Sequence, residues 1–145
     1  MRGSSDPGPP GETPKRPSFS RALLAAIFIV AGVLHFVITD QYVGVMPPWL
    51  PWHRGLVLVS GVAEIAGGAG LLIPRVRRAA GIGLILLLIA VAPANWQMYL
   101  NAHAAGASAI AQTLFLLRMP LQLALIWWVW SAAGLRRRFP GPHAR

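Results

Sequence analysis

Glu64 stands in "SGVAEIAGG" and is the one charged side chain between Gly55 and Ile73, among glycine, alanine and branched aliphatic residues. A carboxylate in such surroundings can pair with a cation, exchange protons with a histidine, or accept hydrogen bonds from a bound molecule. The other apolar stretches supply candidates for each role: His35, Asn95, Arg118 and Gln122. Histidine changes charge near neutral pH, arginine is a fixed cation, and the two amides both donate and accept. A charge at mid-membrane costs about 2.5 to 3.5 kcal/mol on insertion scales, so Glu64 and Arg118 each need a reason to be there.

The elements that must position these groups are transmembrane helices. The chain has 145 residues, 55% of them apolar, and only four acidic residues. Its mean hydropathy is +0.55. Such a composition is that of a membrane protein rather than of a wet-surfaced soluble domain. Cysteine is absent, which excludes disulfides, thiolate nucleophiles and thiolate metal sites. The net charge of +9 lies between apolar runs and not on an aromatic-studded face, so nucleic acid is not an expected partner. Four apolar runs, about 20–39, 55–73, 79–100 and 108–133, are each long enough to cross a bilayer. The sequence therefore predicts an all-α, four-helix transmembrane bundle over 19–134, flanked by a disordered Pro/Gly-rich tail (1–18) and a basic tail (135–145).

Basic residues set the orientation. Arg2, Lys15, Arg16 and Arg21 precede the first run, Arg75, Arg77 and Arg78 lie between the second and third, and Arg136, Arg137, Arg138 and Arg145 follow the fourth, whereas the opposite side carries Arg54. N and C termini are expected to be cytoplasmic, with the loops 40–54 and 101–106 outside. The protein is accordingly expected to be multi-pass in a cell membrane, plasma or bacterial inner. Trp49, Trp52 and Trp96, joined by Tyr42 and Tyr99, then fall near the outer boundary and Trp127, Trp128 and Trp130 near the inner one, where amphipathic rings anchor.

Helical rise places His35, Glu64, Asn95 and Arg118 all in the outer half of the bundle, one on each helix. Gln122 shares a face with Arg118 at i+4. Small residues around Glu64 turn it toward the bundle. The expected arrangement is a network in which Arg118 holds Glu64, with His35 and Asn95 beside them. That network is either an assembly device that neutralises two charges or the wall of a binding pocket. His35 alone can be an interhelical hydrogen bonder or a proton shuttle. Pro93 and Pro120 deprive the Ile89 and Leu116 carbonyls of their helical donors next to this layer. The glycine-rich stretches follow no strand and are packing stripes, not phosphate cradles. A metal site would need His35, Glu64 and His53 together, and none is expected.

Between the first two runs, "YVGVMPPWLPWHRG" contains three prolines and two tryptophans. Pro47, Pro48, Trp49, Pro51 and His53 are read as a rigid outer lid over the polar layer, or as an interfacial anchor. Together, "AGVLHF", "MPPWLPWH", "SGVAEIAGGAGLLIP", Arg77 and Arg78, "VAPANWQM" and "LRMPLQ" resemble the DoxX-like family of small integral membrane proteins over Ala31 to Gln122. By that resemblance the motif positions are His35, Pro47, Pro48, Pro51, His53, Glu64, Pro93, Asn95, Arg118 and Gln122. The resemblance also implies a membrane subunit of a quinone-linked oxidation system or redox-stress complex.

The leading functional expectation is an accessory, non-catalytic subunit that binds a quinone-like or other amphipathic molecule in the polar layer, with a redox enzyme or further copies of itself as partners. The alternatives are a small permease or channel formed by oligomerisation, and a membrane isomerase using His35 and Glu64 as acid and base. Transport by one copy is disfavoured because "LLAAIFIV" and "GIGLILLLI", the inner halves of two helices, carry no polar side chain.

Overall fold

The structure, a computed structural model, describes residues 18–135. The expected tails 1–18 and 135–145 otherwise fall outside those residues. What is described is all-helical: α1 (Phe19–Val37), α2 (Thr39–Val43), α3 (His53–Leu72), α4 (Arg77–Ala104) and α5 (Ala109–Ala132). The four longer helices are each long and apolar enough to span a membrane. In hydrocarbon every backbone amide must be satisfied within its own segment, and a continuous helix does this.

α1 packs along α3, α3 along α4 and α4 along α5. α1 begins and α5 finishes at one end of the bundle, here called the terminal end. α2 and the α4–α5 turn lie at the other, the loop end. At the terminal end Leu24, Phe28, Leu71, Leu84, Leu88, Val129 and Ala133 form the buried apolar core. Trp128 Nε1 donates to Ser20 Oγ at 2.7 Å and ties α5 to α1 there. Arg77 Nε donates to the Leu71 carbonyl at 3.0 Å, giving a late α3 carbonyl a cationic donor.

α1 and α3 approach most closely through glycine. A Cβ on Gly32 would lie 2.6 Å from the Gly61 carbonyl oxygen, and one on Gly61 would lie 2.8 Å from both the Gly32 carbonyl oxygen and His35 Cβ. Both positions therefore exclude a side chain, and backbones meet as they do at small-residue interfaces in membranes.

Two boundaries differ from the apolar pattern. α4 runs on to Ala104, so the segment expected to be a loop from Asn101 is mostly helix. The run expected to reach Thr39 breaks at Ile38 (φ −124, ψ 42) and restarts as α2. Thr39 Oγ1 donates to the His35 carbonyl at 2.7 Å, satisfying a carbonyl that the end of α1 leaves open.

Candidate functional site

The glycine contact of α1 with α3 sets His35 against Glu64. His35 Nδ1 lies 3.5 Å from Glu64 Oε2, and the two side chains are only 10% and 12% exposed. The same nitrogen lies 2.9 Å from the Ala31 carbonyl oxygen. A backbone carbonyl can only accept, so in this contact Nδ1 is the nitrogen that carries a proton, and it donates to Ala31. Glu64 Oε2 is buried with no hydrogen-bond donor. A buried carboxylate oxygen in that condition is an open acceptor.

Tyr42, on α2, stacks on the His35 ring with centroids 4.0 Å apart and planes at 15°. Its phenol is held above the ordinary range, first by burial and then by the Glu64 carboxylate, with Arg118 pulling the other way. Thr39, Tyr42 and His35 are spaced i+4 and i+7 on a helical repeat. That signal was present in the sequence, but Tyr42 reads there as one more member of the outer aromatic belt.

Asn95 and Gln122 form a second pair. Asn95 Nδ2 donates to Gln122 Oε1 at 2.8 Å, and Gln122 Nε2 donates to the Leu88 carbonyl. That carbonyl precedes Ile89, whose helical donor Pro93 removes, so the buried Gln122 braces α4 at its proline break. These amides join each other and the α4 backbone.

Arg118 does not hold Glu64. The two form no ion pair among the described residues, and the ionisable side chain beside Glu64 is His35. Arg118 is exposed on α5, its guanidinium carbon 5.9 Å from the centre of the Phe115 ring. The sequence expectation fails because α1 and α3 touch backbone to backbone at Gly32 and Gly61, which brings His35 to the Glu64 face of α3.

The proline-rich segment divides. Pro47 is buried, and its carbonyl accepts from His53 Nε2 at 2.9 Å. Pro48 and Pro51 are exposed, and so are Trp49 (69%) and Trp52 (73%), which suits ring anchoring at an interface. Trp52 has φ 57 at the start of α3, and its indole occupies the space a Cβ on Gly55 would need. Arg54 Nη1 reaches Asp40 Oδ1 at 2.8 Å and links the segment to α2. The group that covers His35 is thus Tyr42.

No curated protein and no solved structure matches the chain. A family described as a domain of unknown function (DUF8561) matches residues 24–133. That stretch runs from the first core leucine of α1 to the end of α5 and holds both polar pairs, and the chain belongs to this family.

Proposed function

We propose that the chain is a DoxX-like accessory subunit of a cell membrane, non-catalytic on its own, which holds a quinone-like amphipathic molecule at the His35–Glu64 pair for a redox partner. Both termini face the cytoplasm in this reading, which rests on the arginines around the terminal end. The observation that carries the binding site is the buried Glu64 oxygen without a donor. A hydroxyl on a reduced quinone-like head group supplies that donor. The stacked Tyr42 and His35 rings offer an aromatic surface to the same head. The Asn95–Gln122 pair links α4 to α5 and is engaged with the Leu88 carbonyl.

The test is a titration of the detergent-solubilised full chain with short-chain benzoquinol and naphthoquinol under reducing conditions, followed by tryptophan fluorescence. Saturable quenching is expected, weakened at least tenfold in Glu64→Gln while helicity is retained. Quenching that rises linearly and equally in both proteins reflects partition into the micelle and refutes the site.

A further inference from the structure

We infer that the face of α5 formed by Leu114, Leu117, Arg118 and Leu121 docks a transmembrane segment of a different chain, one that carries an aspartate or glutamate within the bilayer. This inference is independent of the quinone reading. The four residues are spaced i, i+3, i+4 and i+7, hence on one stripe. The leucines are 60%, 48% and 58% exposed, and α5 is the least covered of the four spans. At the centre of that stripe is a side chain that stays charged; its guanidinium lies near the Phe115 ring of its own helix and acts electrostatically on the Tyr42 phenol, but it forms no ion pair among the described residues. An apolar stripe around a fixed cation fits a helix that brings apolar side chains and one anion.

A second copy of this chain cannot bring that anion. The acidic residues are Asp6, Glu12, Asp40 and Glu64. Glu64 is enclosed between α1 and α3 beside His35, and Asp40 is joined to Arg54 outside the spans. Asp6 and Glu12 precede α1 in sequence, and α1 starts at the end of the bundle opposite Arg118's half. A lipid phosphate is also poorly placed. Arg118 is about 14 Å along α5 from its loop end, and the Phe115 level over which its guanidinium lies is about 9 Å from that end. A carboxylate on a neighbouring helix can sit at that depth.

The probe is a synthetic leucine–alanine transmembrane peptide with a single Asp at the level of Arg118, compared with Leu and Lys versions. Energy transfer to the labelled full chain is measured in phosphatidylcholine vesicles at pH 8. The Asp peptide is expected to bind at least tenfold more tightly than the Leu peptide. Arg118→Gln should erase the preference, Arg118→Lys should keep part of it, and Arg118→Asp should favour the Lys peptide. Arg118 is exposed, so circular dichroism of all three variants should match the parent. Equal binding of the Asp and Leu peptides by the parent chain overturns the inference. So does an Arg118-dependent preference for anionic vesicles without discrimination between peptides, which would assign the residue to lipid phosphate. Self-association of the chain that is lost in Arg118→Gln would equally overturn it, by making the partner a second copy.

Discussion

Gly32 and Gly61 face each other so closely that a methyl group on either would lie within 2.6 to 2.8 Å of the other's carbonyl oxygen. This contact sets the spacing of α1 and α3, and with it the separation of His35 from Glu64. Gly61→Ala is therefore expected to destabilise the solubilised protein by about 1 to 3 kcal/mol, the usual range for overpacking. Gly83, with nothing within 4 Å of an added Cβ, is the control, and Gly83→Ala should leave the melting temperature unchanged or slightly raised.

Removing one member of the His35–Glu64 pair leaves the other buried without its partner. His35→Leu is expected to lower stability by about 1 to 3 kcal/mol, and His35→Leu with Glu64→Leu by less than the sum of the two single losses. Arg118→Met, added to Glu64→Gln, should give no recovery. Recovery in thermal melts would restore the Arg118 pairing that the geometry excludes.

Gln122→Leu removes the acceptor for Asn95 and the donor for the Leu88 carbonyl together. The expected loss is about 1 to 3 kcal/mol, since buried polar groups are left unpaired. Asn95→Leu on that background should add little, and strict additivity of the two losses in a double-mutant cycle would show that the amides act separately.

The raised Tyr42 phenol has a pH signature. Its proton is held more tightly in the folded chain than at the ordinary value of 10.0. The folded state then binds more protons than the unfolded one above that pH, and stability falls as pH rises further. Below about pH 10 this contribution is fully present. Tyr42→Phe should reduce the alkaline loss, and ultraviolet titration should show one phenol ionising above the ordinary range.

Orientation is tested by labelling in intact cells. In this cysteine-free chain, Gly44→Cys and Ala104→Cys should react with an impermeant thiol reagent added outside, and Pro74→Cys should not. The reverse pattern would place the termini on the other side.

The four spans are legible in the sequence because unbroken apolar length is itself the physical requirement for crossing hydrocarbon. Helical rise along opposed spans also brings His35 to the level of Glu64, where the two side chains meet. Which polar group pairs with which is not legible. Charge alone couples Glu64 to Arg118, but partner choice depends on helix rotation, and that is set by the Gly32–Gly61 contact, a matter of shape. α2 escapes the apolar count because a single residue, Ile38, interrupts α1. Without that break in view, Tyr42 is read as an anchor in the membrane interface and not as the ring lying on His35.

The main apolar core lies toward the terminal end, from Leu24 and Phe28 to Val129 and Ala133, while the loop end buries fewer apolar side chains, among them Pro47, Val57 and Ala102, and adds the Arg54–Asp40 link and the His53–Pro47 bond. Cohesion is thus graded along the membrane normal. Thermal opening begins where side chains are joined by single polar bonds and stops where they interlock, so the bundle breathes like a peg sprung at one end. Amides of α2 and of the first turns of α5 should exchange with solvent well before those near Leu71 or Leu84. The carboxylate of Glu64 lies between the two ends, beside the Gly32–Gly61 contact.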